Sequence, residues 1–203
     1  MLRVGLTGGL ASGKSFIGCA LEHLGCYLIR MDQLGHQALE PGGDAYFQVL
    51  AEFESEVPLL KPDGSIDRRA LGNHVFPDLE RLARLNAIVH PAARAREKAL
   101  AQEYFSSQPD GISITEAAIL IETGRYLEYD SLVVAICRPE QQLERAMARG
   151  GLSREEALHR MSRQIPLEEK RKYANFVIDT SGSEEHTLSQ TRAVYESLRS
   201  LTR

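Results

Sequence analysis

The chain has 203 residues, a length that predicts one domain, or one domain with insertions, that buries a substantial core. Its 43% hydrophobic and 26% charged residues are typical of a soluble globular protein, and its net charge of −4 argues against a general nucleic-acid binder. No apolar segment is long enough for a membrane span, and three cysteines without metal-type spacing predict free thiols in a reducing compartment, the cytoplasm.

The first predicted element is a strand over residues 2–7. Residues 8–15 follow it with the pattern G-x-x-x-x-G-K-S, and we call them the phosphate loop. Glycines let successive N–H groups point at one anion, and the dipole of the next helix adds positive potential. We expect Lys14 to reach the outer phosphates of a nucleotide and the Ser15 hydroxyl to hold Mg²⁺. The alternative is a glycine-rich turn that only packs closely, but such a turn would not need Lys14 and Ser15.

Four later runs predict further strands: residues 27–31, 112–115, 132–137 and 176–179. Helical patterns lie between them, so the chain alternates β and α elements. This alternation predicts an α/β fold with a five-stranded parallel sheet and right-handed crossovers. Ligands of such sheets bind beyond the carboxyl ends of the strands.

The connection between the second and third strands is too long for a simple crossover, and we interpret it as an inserted helical subdomain. Residues 44–56 predict one helix. Asp67 is expected to cap a second helix over residues 68–73. A long helical stretch begins near Asp78, and Pro91 should break or restart it.

A second insertion, residues 140–165, follows the fourth strand. Its first part, 140–149, has a helical pattern, Gly150-Gly151 forms a break, and the capping box Ser153-x-x-Glu156 opens another helix. Two arginine-rich helices joined by a glycine pair are typical of a mobile lid. An ordinary helical hairpin is the alternative.

These parts together favour a small-molecule kinase, because a loop for ATP, a helical insertion for an acceptor and a lid that excludes water are all predicted. The guanine-reading pattern Asn-Lys-x-Asp is absent from the sequence, which argues against a GTPase. Motor and transporter ATPases usually have larger chains. The acceptor is open and includes a nucleoside or a sugar. A nucleotide-responsive binding protein without catalysis is a further alternative.

Two acidic residues follow predicted strands. Asp32 ends the second strand, where its carboxylate could accept or orient the proton of an acceptor hydroxyl. A helix N-cap is an equally acceptable interpretation of Asp32. Glu116 ends the third strand and could bind the hydration shell of Mg²⁺ or the acceptor, unless it is a capping or surface residue.

Three basic residues are further candidates. Arg145 and Arg149 are four positions apart and share a helix face, so one of them could clamp the γ-phosphate. The alternative is a solvated face that pairs with Glu140 or Glu144. His90 precedes a helical break, although a lone histidine is more often structural.

The motifs together resemble the dephospho-CoA kinase family from Val4 to about Gly182. The matching segments are residues 5–16, 30–32, 40–42, 63–76, 85–91, 142–149, 160–164 and 177–182. Apart from the phosphate loop each segment is weakly specific, and their order and spacing carry the resemblance.

The resemblance implies a three-layer P-loop NTPase fold and the last step of coenzyme A synthesis. ATP would phosphorylate the ribose 3′-hydroxyl of dephospho-CoA to give CoA and ADP, with Mg²⁺ as cofactor. The nucleotide-binding core would comprise residues 1–32, 96–139 and 166–203, with the acceptor-binding insertion at 33–95 and the lid at 140–165. We expect a monomer or weak homo-oligomer without nucleic-acid or membrane partners.

The resemblance also assigns roles. Asp32 becomes the base or the residue that orients the acceptor hydroxyl, Lys14 stabilises phosphate charge, Arg149 is the clamp of the lid, and Ser15 is the Mg²⁺ ligand. The implied ATP-binding residues are Gly8, Gly9, Ala11, Ser12, Gly13, Lys14, Ser15, Phe16, Arg145, Arg149, Ser181 and Gly182. The implied acceptor-binding residues are Asp32, His36, His90 and Glu116. Ala11 replaces a common glycine of the family, and we expect it to fit only if its φ is negative.

Overall fold

The computed structural model describes residues 1–202 of the chain. It contains a parallel sheet of five strands. The strands are β1 (Leu2–Gly8), β2 (Tyr27–Arg30), β3 (Ile112–Glu116), β4 (Ser131–Ile136) and β5 (Phe176–Asp179). Their order is β2-β3-β1-β4-β5, and every neighbouring pair is parallel. The predicted α/β fold with a five-stranded parallel sheet is therefore confirmed.

Helices alternate with the strands. They are α1 (Lys14–His23), α2 (Met31–Gln37), α3 (Tyr46–Phe53), α4 (Arg68–Val75), α5 (Leu79–Ser107), α6 (Pro139–Gly150), α7 (Arg154–Ser162), α8 (Leu167–Arg171) and α9 (Glu184–Leu201). A 3₁₀ turn covers Arg125–Glu128. The side chain of Arg149 is outside the described part. Within that part, no helix has both the length and the apolar character that crossing a membrane requires.

Both faces of the sheet are covered, because β1 is buried along almost its whole length. On one face Val4 and Leu6 pack with α1 and α9 through Ile17 and Leu198, all four fully buried. On the other face a Cβ at Gly5 would lie within 3.2 Å of side-chain atoms of Leu120, Leu132 and Tyr129. A sheet with covering layers on both sides gives the three-layer architecture. 

The chain divides into two units, Met31–Leu100 and the remainder. The first of these, which we call the helical unit, has its own apolar core around Phe53, fully buried, to which α3, α4 and α5 contribute. Asp67 caps α4 as predicted, since its carboxylate accepts hydrogen bonds from the backbone N–H groups of Arg69 and Ala70. The predicted capping box of Ser153 and Glu156 is likewise present at the start of α7.

The predicted break at Pro91 is wrong, because α5 runs through it as one helix of 29 residues. Pro91 is exposed, so its ring lies on the outer side of the helix. Ile88 and Val89 before the proline and Ala92 after it all pack against the same apolar core. This shared packing outweighs the cost of about 3 kcal/mol that an internal proline imposes on a helix.

Candidate active site

The phosphate loop joins the carboxyl end of β1, the central strand, to the first turn of α1. Gly13 is the N-cap of α1 with a φ of 87°, a left-handed conformation, and a Cβ at this position would lie 2.9 Å from a methyl carbon of Thr180. The first N–H groups of α1 have no partner within the helix, which makes this end suited to an anion. The strand–loop–helix context that the motif requires is therefore present.

Ala11 contradicts the expected negative φ, since its φ is +54°. A side chain in the left-handed region costs about 1–2 kcal/mol, because Cβ approaches the following carbonyl oxygen. Such a conformation persists only where its surroundings fix it. The neighbours of the loop supply contacts of this kind.

The backbone of Leu10 is held by two glutamine side chains. Its N–H donates to Oε1 of Gln164 at 2.8 Å, and its carbonyl accepts from Nε2 of Gln142 at 2.8 Å. Gln142 is buried, and its amide is so close to Gly9 that a Cβ there would collide with it. The Gly9 carbonyl accepts a hydrogen bond from Nζ of Lys14 at 2.7 Å.

Thr180 and Lys170 hold two further carbonyl groups of the loop. The Thr180 hydroxyl donates to the Ser12 carbonyl at 3.0 Å, and the Lys170 ammonium donates to the Gly8 carbonyl at 3.3 Å. Carbonyls that accept these hydrogen bonds are not free to turn toward a bound phosphate, which they would repel. The loop is thus shaped by side chains that are distant in sequence.

Lys170 is a fully buried cation beneath the phosphate loop. Its ammonium lies 2.7 Å from Oε1 of Glu122 and also donates to the Ala118 carbonyl at 2.7 Å. Burial lowers the pKa of Lys170, while the hydrogen bond and charge of Glu122 act in the opposite direction. Glu122 also accepts the N–H of Ile165 at 3.1 Å, so the pair connects the loop, the segment after β3 and the start of the α8 region.

Ser15 and Glu116 meet at the open end of the loop. The Ser15 hydroxyl donates to Oε1 of Glu116 at 2.7 Å, and Oε2 of Glu116 is buried without a hydrogen-bond partner among the described residues. Nε of Arg30 lies 3.9 Å from that oxygen. A hydroxyl beside a carboxylate with an unused oxygen is the kind of ligand pair that a hard cation such as Mg²⁺ prefers.

These two oxygens do not make a complete metal site. Among the described residues no cluster of three or more His, Cys, Asp or Glu side chains could hold an ion. Mg²⁺ usually takes one or two protein ligands and completes its shell with water and phosphate oxygens. Ser15 and Glu116 therefore fit an ion that arrives with a nucleotide.

Arg145 contacts the segment after β5 rather than Glu140 or Glu144. Its guanidinium donates to the hydroxyl of Thr180 at 2.9 Å and to the carbonyl of Thr180 at 2.8 Å. Ser181 follows, and its hydroxyl accepts the N–H of Arg138 at 3.0 Å. Arg145 and Ser181 thus belong to one group of contacts that reaches the loop through Thr180.

The remaining predicted nucleotide residues are less constrained. Phe16 is half-buried in the first turn of α1, and Gly182 is exposed just before α9. The backbone of Arg149 lies in α6, but its side chain is outside the described residues, so its predicted role stays a prediction.

Three predicted acceptor residues lie in the helical unit. β2 ends at Arg30 and not at Asp32 as expected, because the chain turns directly into α2, and Asp32 lies in the first turn of that helix. Asp32 and His36 are exposed, and no hydrogen bond or ion pair of the Asp32 side chain occurs within residues 1–202. Asp32 therefore makes no N-cap hydrogen bond there. His90 is half-buried within α5 and has a partner.

The sequence patterns assign no role to five residues that shape the site: Gln142, Gln164, Lys170, Thr180 and Glu122. The two glutamines did stand inside motif segments. Their place in these segments was the signal that could have found them. Nothing local in the sequence marks Lys170 as buried.

Known proteins resemble this chain in sequence and in fold. The family model for dephospho-CoA kinase matches residues 2–186. The dephospho-CoA kinase of Geobacter sulfurreducens is 44% identical over 183 residues, covering 90% of this chain and 91% of the relative.

Two solved structures are similar over almost their whole length. A crystal structure from Thermus thermophilus has a TM-score of 0.79 and 33% identity, with 97% of this chain and 96% of that chain covered. The dephospho-CoA kinase from Campylobacter jejuni has a TM-score of 0.66 and 27% identity, with 97% and 96% covered. On the match to the family model and the extent of these likenesses, the chain belongs to the dephospho-CoA kinase family.

Proposed function

We propose that this protein transfers the γ-phosphoryl group of ATP to the ribose 3′-hydroxyl of dephospho-CoA, giving CoA and ADP. The observation that carries the proposal is membership of the family over nearly the whole chain, together with a phosphate loop that keeps Lys14 and Ser15. In this reaction the acceptor oxygen forms a bond to phosphorus. The bond from phosphorus to the bridging oxygen of ADP breaks, and the hydroxyl proton passes to a base.

The nucleotide phosphates would bind within the phosphate loop and at the N-terminus of α1. Lys14 donates to the Gly9 carbonyl of the loop, so its ammonium lies at the loop and needs only a side-chain rotation to reach a phosphate oxygen. Its charge would stabilise the transferring group, which spreads negative charge over its oxygens. Gly8, Gly9, Ala11, Ser12 and Gly13 would contribute backbone groups.

The Ser15 hydroxyl and the Glu116 carboxylate would supply oxygen ligands for Mg²⁺ beside the nucleotide. The unused buried oxygen of Glu116 supports this role. When bound, Mg²⁺ supplies Lewis-acid neutralisation of phosphate charge. Arg30 would limit the excess negative charge of Glu116 while the ion is absent, since its guanidinium is 3.9 Å away.

Asp32 would take the proton of the 3′-hydroxyl or orient that hydroxyl for in-line attack. Its exposure and the absence of a side-chain partner within residues 1–202 support this role, because a base must reach the substrate. His36 and His90, in the same helical unit, would contact other parts of dephospho-CoA. The unit as a whole, with the insertion at residues 33–95, would bind the acceptor.

Arg145 and Arg149 would act from the lid, residues 140–165. Arg149 would clamp the γ-phosphate. Arg145, which holds Thr180, would support the segment of Ser181 and Gly182, and that segment, with Phe16, would lie near the nucleotide base. We also expect a monomer or weak homo-oligomer in the cytoplasm without nucleic-acid partners. The free thiols of Cys19, Cys26 and Cys137 are consistent with a reducing compartment.

A turnover assay tests the proposal. Purified protein with ATP, Mg²⁺ and dephospho-CoA should release ADP and CoA in equal amounts, and product analysis should place the phosphate on the 3′-oxygen. A panel of nucleosides and sugars serves as the comparison for kcat/KM. Faster turnover of another acceptor would assign a different kinase, and ATP binding without any transfer would assign a nucleotide-responsive binding protein.

A further inference from the structure

The backbone on both sides of Leu10 is fixed by side chains from the two ends of one segment. Gln142, near the start of α6, binds the Leu10 carbonyl, and Gln164, just after α7, binds the Leu10 N–H, each at 2.8 Å. We infer that these two glutamines are positioning residues of the nucleotide site, which tie the segment between them to the phosphate loop. The inference rests on the proposed function, because it treats the loop as the phosphate site.

The orientation of each glutamine amide follows from its partner. A backbone N–H can only donate and a backbone carbonyl can only accept. Gln164 must therefore present its oxygen to Leu10, and Gln142 must present its NH₂ group. The two side chains thus hold consecutive peptide groups with opposite polarity.

The contact of Gln142 explains the strained residue that follows. The Leu10 carbonyl belongs to the peptide group that also contains the N–H of Ala11, and the two point in opposite directions. A flip of this peptide would carry Ala11 from its φ of +54° to a relaxed negative value. It would also turn the Leu10 carbonyl into the loop, where it would repel a phosphate.

Gln142 opposes this flip because it is buried and holds the carbonyl outward. The N–H of Ala11 then faces the side on which an anion would bind. Gln164 fixes the preceding peptide, so Leu10 cannot rotate as a whole. Loss of either contact should weaken nucleotide binding without a change in the acceptor site.

Isosteric substitutions separate the two polarities. Gln164→Glu keeps an oxygen for the Leu10 N–H, whereas Gln142→Glu places a carboxylate against the Leu10 carbonyl. Both add the same charge, so the electrostatic effect on ATP is shared. We expect the Kd of MgATP, measured by calorimetry, to be at least about tenfold higher for Gln142→Glu than for Gln164→Glu. The KM of dephospho-CoA should change less than about twofold in both.

The neutral variants Gln142→Met and Gln164→Met provide a second measurement that does not need ATP. In hydrogen exchange, the Leu10 amide should exchange faster in Gln164→Met, which lacks the acceptor, than in Gln142→Met. Both should raise the Kd of MgATP by about fivefold to tenfold.

Equal MgATP affinities of the two Glu variants, or equal exchange of the Leu10 amide in the two Met variants, would overturn the inference while wild-type turnover stands. A uniform fall in Tm with unchanged MgATP affinity in the folded fraction would also overturn it, because the glutamines would then only stabilise the fold. Failure of the wild type to bind MgATP would instead remove the proposed function.

Discussion

In the proposed reaction the phosphate loop binds the nucleotide and the first turn of α2 supplies the base. The two differ in how many hydrogen bonds fix them. The carbonyl groups of Gly8, Leu10 and Ser12 each accept a hydrogen bond from a side chain that is distant in sequence. Asp32 is exposed and makes no side-chain hydrogen bond or ion pair within residues 1–202. The loop must be rigid before its ligand arrives, whereas a base must remain available to its substrate.

This difference predicts that substitution of Asp32 lowers turnover without changing stability. It is the largest effect that we expect. Asp32→Asn should lower kcat by about 10²–10⁴-fold, because general-base catalysis contributes about that much. The thermal midpoint should stay within about 1 °C, since the side chain holds no contact to lose. Steady-state kinetics and calorimetry measure both, with Asp110→Asn as a control at another exposed turn. A near-normal kcat would show that Asp32 is not the base.

Substitution of Lys170, which lies beneath the loop, should mainly lower the stability of the fold. Lys170→Met leaves Glu122 largely buried without its cation, which should cost about 3–5 kcal/mol of the free energy of unfolding in urea. Adding Glu122→Gln should recover part of this loss, because the amide oxygen still accepts the N–H of Ile165. Lys172→Met, at an exposed lysine, is the matched control. A loss no greater than in that control would contradict a structural role for Lys170.

The conformation of Ala11 predicts a smaller gain. Ala11→Gly should raise the free energy of unfolding by about 0.5–1 kcal/mol, because glycine removes the cost of a left-handed φ. The greater conformational entropy of glycine in the unfolded chain offsets part of this gain. The same substitution at Ala20, inside α1, should lower stability by about 1 kcal/mol. Opposite signs in urea unfolding would support the strain at Ala11, and equal signs would argue against it.

The helical unit contains a charged cluster whose contribution should be smallest. Hydrogen bonds from Arg84, then from His74, lower the pKa of Glu56 below its ordinary 4.5. A carboxyl group whose pKa is lowered on folding stabilises the fold at pH values above its unfolded pKa. This stabilisation is lost as the pH falls through its folded pKa. Wild type should thus exceed Glu56→Gln in stability near neutral pH, and the gap should close toward about pH 3.

Urea unfolding across this pH range checks the effect, with Glu54→Gln as the control at a nearby exposed carboxyl group. A gap that widened in acid would mean that the cluster destabilises the charged form of Glu56.

Local signals in the sequence were sufficient for much of the fold. Strand patterns, the glycines of the loop and the caps at Asp67 and Ser153 depend on residues within a few positions, and the structure contains them all. Pro91 failed as a predictor because packing on both sides of it outweighed its local preference. Ala11 failed because contacts to its neighbour fixed its backbone.

The contacts that shape the site had no local signal. Gln164 is 154 positions from Leu10, and Lys170 is 162 positions from Gly8. Neither periodicity nor turn chemistry reports a side chain that meets a backbone group so far along the chain. Only the motif segments around the glutamines hinted that these positions matter.

The position of β1 at the centre of the sheet has a consequence for synthesis on the ribosome. β1 is synthesised well before its partners, which begin at Ile112 and Ser131, so a long stretch of chain must follow before either edge is paired. Such non-local pairing slows folding and leaves an apolar strand exposed to aggregation. The helical unit precedes β3 in the sequence and has a core of its own, so it can fold before β1 is paired. Truncating the chain before Ile112 should therefore impair solubility, because both edges of β1 then stay unpaired.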